Sequence, residues 1–454
     1  MKKIQLTIKE KKRIRSIHLS CIPLTCYCRG RHEPRSQLVI HTDIFFRLDE
    51  VMPQPLQNRS TIVQYYSTLT INAIQIIIMC YKAAAIRKMC EARARNTSYL
   101  CSAVNNKTIV MRHGDRAPQD TYPNDPYVNN SMEPYGWGQL TNEGRRNQYN
   151  QGLFLRERYN NFLGSIYSPN IFYLQSTALD RTKMSAMLEA AALWKPTEKQ
   201  SFKRDLAWQP VTLFYQPYSE DTLMTIWDAC PKYTKLRHAV MNLSQVQQIQ
   251  DKNKHLYEEL TNLTGMMIST PGDVNSLYAT LTAEKCMNLT LPEWTKHYYP
   301  DKLIPLTLYD FQLNGYNDEF KRLKGGPFLK KIVTDMITKK DNTLKPEERK
   351  MFMYIGHDST IVTLMDVMHI WNNQMPYYNI MIMIELHEKN DEWTVQMFLR
   401  NTTEHDPYPL TVPGCSTICS LEKFVQILKP MIPDNWDEEC KVDGDYILPP
   451  APLL

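Results

Sequence analysis

At 454 residues the chain is long enough for one large domain or two, each with a buried core. Its 43% hydrophobic and 22% charged residues are those of an ordinary globular protein, not of a disordered or fibrous one. A net charge of only +5, with no stretch of Lys and Arg interleaved with aromatics in residues 101–454, excludes nucleic acid as a partner.

Residues 1–103 read as an extension unlike the rest. "MKKIQLTIKEKKRIRSIHLS" is basic and has no apolar centre, while the best apolar run, residues 71–86, is interrupted by Lys82. The roughly ten clean apolar residues are too few for a membrane span and suit an internal signal or signal-anchor. From residue 104 the pattern becomes regular. "KTIVM" (107–111) predicts a short buried strand, and 141–163 an amphipathic helix with Thr141 as its cap and Glu143 in its first turn. A strand is predicted at 170–177, then a helix over 176–194 with a Ser/Thr cap and Asp180 near its start. Residues 205–320, rich in Pro, Tyr and Trp with a helical stretch at 244–263, read as an inserted, mainly helical cap. Residues 325–339 predict a helix, 350–360 a strand ending in a polar turn, and 379–388 with 392–401 a strand pair across "KND". The expected fold is α/β, a central mostly parallel sheet flanked by helices, built from 104–204 and 321–442, with 443–454 as a tail.

Cysteine spacing points to disulfides. Cys21, Cys26, Cys28, Cys80, Cys90 and Cys101 fall in the extension; Cys230, Cys286, Cys415, Cys419 and Cys440 are spread without the CxxC clustering that zinc requires. Cys415 and Cys419 bracket "GCSTIC" beside Pro413 and Gly414, a turn short enough to staple. Eight N-x-S/T sequons, at Asn58, Asn96, Asn106, Asn129, Asn242, Asn262, Asn288 and Asn401, agree with a secretory route.

Three charged clusters each follow a predicted strand: Arg112, His113 and Arg116 after 107–111, Arg181 after 170–175, and His357 with Asp358 after 351–355. In an open α/β sheet ligands bind beyond the carboxyl ends of the strands, so parallel neighbours would bring these clusters into one crevice. Three guanidinium forks there match the oxygens of a phosphoryl dianion. An imidazole can attack phosphorus, and a carboxylic acid can protonate the departing oxygen. Nothing in the set calls for a metal or another cofactor. A second His-Asp pair, His405-Asp406 in "EHDPYP", sits in a Pro-rich turn and reads as structural.

The motifs also carry a resemblance. "VMRHGDRAPQDTYPNDPY" resembles the RHGxRxP signature of the histidine acid phosphatases of the prostatic, lysosomal and insect venom type. "GQLTNEGRRNQYNQGLFLRERY", "QSTALDRTKMSAMLEAAALW", "CPKY", "MNLTLPEW", "YIGHDST" and "RNTTEHDPYPLTVPGCSTICSLEKF" follow in that family's order, over about residues 104–442. The resemblance implies His113 as nucleophile, Arg112, Arg116, Arg181 and His357 as phosphate ligands, and Asp358 as proton donor. It leaves Asp115 with a turn or supporting role. It also implies disulfides Cys230–Cys440 and Cys415–Cys419, and leaves Cys286 without its family partner.

The implied activity is hydrolysis of phosphomonoesters, small or on phosphoproteins, at acid pH through a phosphohistidine, with a homodimer as the family's common assembly. Two other readings are a phytase or inositol polyphosphate phosphatase, whose relatives often carry His-Ala-Glu where this chain has His357-Asp358, and a secreted binding or allergen-like protein with incidental activity. A carboxyl end in "DYILPPAPLL" without a membrane span favours a secreted product over the lysosomal branch.

Overall fold

The computed structural model describes residues 103–444, all of which fall within one compact unit. The apolar run at 71–86, the six extension cysteines, Asn58 and Asn96 lie outside the described residues, as does the tail from 445 on.

β1 (Ala103–Arg112) is the axis of the fold. Its Ile109, Val110 and Met111 are all fully buried, because helices cover both faces of the sheet it belongs to. Alternation along the strand divides them between two cores. Val110 joins Phe328, Ile332, Tyr354 and Leu364 on one face. Ile109 and Met111 join Leu155, Ala186, Met353 and Met383 on the other. Each such side chain contributes about 1.5–3 kcal/mol of burial, so the central strands are the most firmly held part of the molecule.

The other strands are β2 (Phe172–Ser176), β3 (Phe214–Tyr215), β4 (Met351–Gly356), β5 (Met381–Lys389), β6 (Glu392–Arg400), β7 (Tyr408–Leu410) and β8 (Cys419–Ser420). Their order is β3-β2-β4-β1-β5-β6-β7, with β8 on β6. β3, β2, β4 and β1 run parallel, and from β5 onward the pairing is antiparallel. The parallel core therefore puts the carboxyl ends of β2, β4 and β1 side by side.

α1 (Asn142–Leu163) starts where predicted, with the Thr141 hydroxyl accepting the Gly144 amide at 3.0 Å. α2 is Asp180–Leu193, shorter than the predicted 176–194, and its N-cap is Leu179 with no side-chain cap. The Ser/Thr residues that looked like a cap are used elsewhere. Helical residues follow as α3 (Pro231–Val240), α4 (Ser244–Lys252), α5 (Lys254–Thr264), α6 (Pro271–Cys286), α7 (Thr295–Tyr298) and α8 (Ile304–Asn314). The stretch 244–263 thus divides at Asn253. α9 (Asp318–Lys340) begins earlier than the predicted 325 because Asn317 caps it, accepting the Phe320 amide at 3.1 Å. α10 (Asp358–Val367) grows directly from the end of β4, and α11 (Leu421–Leu428) and α12 (Trp436–Glu439) close the described chain. The β5–β6 hairpin turns on Asn390 and Asp391, both with positive φ, the geometry that a tight two-residue hairpin requires.

Cys230 is joined to Cys440 and Cys415 to Cys419, and Cys286 is free. Among the sequons, Asn106 needs correction as a glycosylation candidate: it lies in β1 at 2% exposure, where an attached sugar has no room. Asn129, Asn242, Asn262 and Asn288 are exposed and Asn401 half-buried. No helix among the described residues is long and apolar enough to cross a membrane.

Candidate active site

All six ionisable residues singled out in the sequence meet at the carboxyl edge of β2, β4 and β1. Arg112 ends β1, His113 follows it, and the His113 amide donates to the Gly356 carbonyl at the end of β4 (3.0 Å). Arg181 enters from the first turn of α2, and His357 and Asp358 stand at the β4–α10 junction.

His113 is 2% exposed. Its Nδ1 lies 2.8 Å from the Gly114 carbonyl, an acceptor only, so Nδ1 carries the proton. Nε2 then holds the lone pair and accepts the Arg181 Nε–H at 3.2 Å. Burial, followed by the charges of Arg181, Arg112, His357 and Arg116, holds the imidazole pKa well below 6.5. The ring is neutral, with its unprotonated nitrogen directed among guanidinium groups. For Arg181 itself, burial and the neighbouring Arg116 push the pKa down to about 10, a sign of how crowded with positive charge the crevice is.

His357 packs edge-on against His113 with ring centroids 5.5 Å apart. Its Nε2 meets the Thr177 hydroxyl at 2.9 Å, and that hydroxyl also meets Thr182 at 2.8 Å. This is the work of the predicted cap residue: Thr177 orients a site histidine across the sheet. Burial and Arg181 keep His357 neutral as well.

Asp358 is ion-paired to Arg112, Oδ2 to Nη2 at 2.8 Å, and its Oδ1 accepts the Ser359 amide at 2.7 Å. Burial pushes this carboxyl up, but Arg112, His357 and the Ser359 amide outweigh it and leave the pKa below 3.8. Arg112 also donates from Nη1 to the Pro376 carbonyl, and its guanidinium lies 4.2 Å from the centroid of the Tyr378 ring. Arg116 donates to the Ala117 carbonyl, and its Nε, like that of Arg112, is buried without a hydrogen-bond partner. Those two donors are available to an anion.

Asp115, the charge with no predicted chemistry, has a supporting task. Its Oδ2 accepts from Asn147 and from Asn379, each at 3.0 Å, and its carbonyl takes the Thr141 amide. Asn379 in turn is bonded by Gln148 and Gln151 of α1. The glycine of the signature allows this packing, because a Cβ at Gly114 would stand 2.6 Å from the Gly144 carbonyl oxygen. Sequence reasoning missed Thr177, Tyr378 and Asn379. His405 and Asp406 are exposed in a surface turn, as expected of a structural pair.

The histidine phosphatase superfamily (branch 2) model matches residues 106–405. The chain belongs to this superfamily. It is 35% identical over 358 residues to the prostatic acid phosphatase of Homo sapiens, covering 77% of this chain and 91% of that one. It is 34% identical over 343 residues to the lysosomal acid phosphatase of Rattus norvegicus, covering 74% and 80% respectively. Among solved structures the phytase of Citrobacter braakii superposes with a TM-score of 0.56 at 16% identity, over 75% of this chain and 99% of that one. That likeness shows a shared histidine phosphatase fold and no more.

Proposed function

We infer that the chain is an acid phosphatase, hydrolysing phosphate monoesters to an alcohol and orthophosphate through a phosphohistidine on His113. The observation that carries this reading is the state of His113: neutral, Nδ1–H engaged by the Gly114 carbonyl, and the Nε2 lone pair exposed to three arginines. Arg112, Arg116 and Arg181 match the charge of a phosphate dianion and the further charge that develops on its equatorial oxygens. Nε2 forms a bond to phosphorus as the ester P–O bond breaks, and the departing oxygen takes a proton from Asp358. Water then attacks phosphorus, the N–P bond breaks, and the Asp358 carboxylate accepts the water proton.

The ion pair with Arg112 explains how one carboxyl can serve both steps. In the ligand-free site Asp358 is held ionised. A phosphate dianion competes for Arg112, releases Asp358 and raises its pKa, so the acid forms when substrate is bound. Within residues 205–320, Phe214–Tyr215 is not cap but the edge strand β3 of the central sheet. The helical residues 231–314 that follow it, as a cap that selects the alcohol, belong to the same proposal. A secretory or lysosomal compartment fits the two disulfides and the exposed sequons, and the relatives named above are prostatic and lysosomal enzymes.

The test is to incubate wild type and His113→Ala with a radiolabelled aryl phosphate at acid pH and to quench in alkali. Wild type should turn over and trap an acid-labile, alkali-stable phosphoryl label, and the variant should do neither. A variant with near wild-type turnover ends the nucleophile assignment.

A further inference from the structure

Arg112 is held in the ligand-free site by three partners of different kinds: the Asp358 carboxylate on Nη2, the Pro376 carbonyl on Nη1, and the face of the Tyr378 ring at 4.2 Å. On the phosphatase reading, the first of these must let go when substrate phosphate arrives and Asp358 turns from counter-ion to acid. An arginine released from the one carboxylate paired with it among the described residues would otherwise lose orientation at the moment its fork is needed. The other two partners need not move.

We propose that Tyr378 is a positioning residue, whose ring keeps the Arg112 guanidinium plane aimed at the phosphate while Asp358 is exchanged for substrate. A neutral π-face suits this task, since it attracts the cation without cancelling the charge that must meet the dianion. A second carboxylate in its place would compete with phosphate.

The segment carrying Tyr378 is fixed at several points, so the ring is a rigid wall. Asn379 takes a positive φ of 65°, and its amide donates to the His113 carbonyl at 3.3 Å. Its side chain is bonded by Gln148 and donates to Asp115, and its carbonyl accepts from Gln151. On the other side, the Ile380 carbonyl accepts the Arg112 amide at 3.0 Å. The Tyr378 ring is 8% exposed and also packs against His113, with centroids 5.6 Å apart. Its hydroxyl makes no hydrogen bond among the described residues, and the proposed role rests on the ring face against Arg112.

The experiment compares Tyr378→Phe, which keeps the ring, with Tyr378→Leu, which keeps an apolar but smaller side chain with no π-face. Each is assayed for KM, kcat and competitive inhibition by inorganic phosphate, alongside wild type. Tyr378→Leu should raise KM and the phosphate inhibition constant together by about tenfold, with kcat changed by less than about threefold. Tyr378→Phe should restore both constants to within about twofold of wild type. Wild-type constants in Tyr378→Leu overturn the proposal, as does a Phe variant as impaired as Leu. A loss of kcat alone does so too. Far-ultraviolet circular dichroism at the assay temperature confirms that each variant is folded. If wild type itself shows no turnover of aryl phosphate, it is the phosphatase reading that fails.

Discussion

Glu284 offers a direct test of whether the fold is built for acid. It lies on α6, is fully buried, and no N–H or O–H among the described residues reaches either Oε. Its neighbour is the carboxyl of Asp125, 3% exposed, which accepts the Thr121 hydroxyl and the Tyr127 amide. The buried Tyr122 phenol faces the same spot. Burial, the charge of Asp125 and the hydrogen bond shared with it push the Glu284 pKa from 4.5 up to about 8. A proton kept on Glu284 has the Asp125 carboxylate, in the loop that follows Arg116, as its nearest charged acceptor. The same loop is tied by Asn124 to the Thr264 carbonyl and by Tyr127 to the Thr290 carbonyl.

Because the folded chain binds this proton more tightly than the unfolded one, the stability it gives is fully present below pH 4.5. That stability is lost as pH rises through about 8. At about 1.4 kcal/mol per unit, the shift is worth about 5 kcal/mol across the window, a large part of a typical total. Glu284→Gln keeps the shape and a donor for Asp125 but cannot ionise. Urea unfolding of both proteins at a series of pH values gives the difference in stability, in which the titrations common to the two largely cancel. Wild type should lose about 5 kcal/mol relative to the variant between pH 4.5 and pH 8. Parallel curves across that window refute the reasoning.

For Asp358→Asn we expect kcat to fall by roughly 10²–10³ for an alkyl phosphate and by much less for a nitrophenyl phosphate, which needs no proton on its leaving oxygen. Equal losses on the two substrates would contradict its role as acid. Gly144→Ala places a Cβ 2.0 Å from the Asp115 carbonyl oxygen, against backbone that cannot yield. It should cost about 3 kcal/mol or more in denaturant titrations and remove most activity by displacing the Arg112–Arg116 segment. Glycopeptide mapping of the secreted protein should find sugar at exposed sequons such as Asn129 or Asn262 and none at Asn106.

Much of the site was legible because its residues are encoded as short runs tied to strand ends. A continuous apolar stub such as Ile109–Met111 must lie between two layers of helix, so the charges directly behind it must emerge at a sheet edge. The helix start at Thr141 was readable for the same local reason, a hydroxyl placed three residues before the amide it caps. Thr177 was misread by that very rule. Local sequence offers the same hydroxyl to a helix amide or to a histidine 180 residues away, and the choice went to His357 because β2 and β4 are neighbours.

By itself, then, the sequence determined the identity of the six polar site residues, the strands that deliver them and the family they belong to. Those are matters of residue type at short range. Only the tertiary structure decided the protonation of His113, the pairing of Asp358 with Arg112, the support given by Asp115, and the place of Tyr378 on the guanidinium face. Each of these depends on which distant groups share a desolvated volume. Chain order carries no record of that, because strand pairing brings together residues that lie hundreds of positions apart.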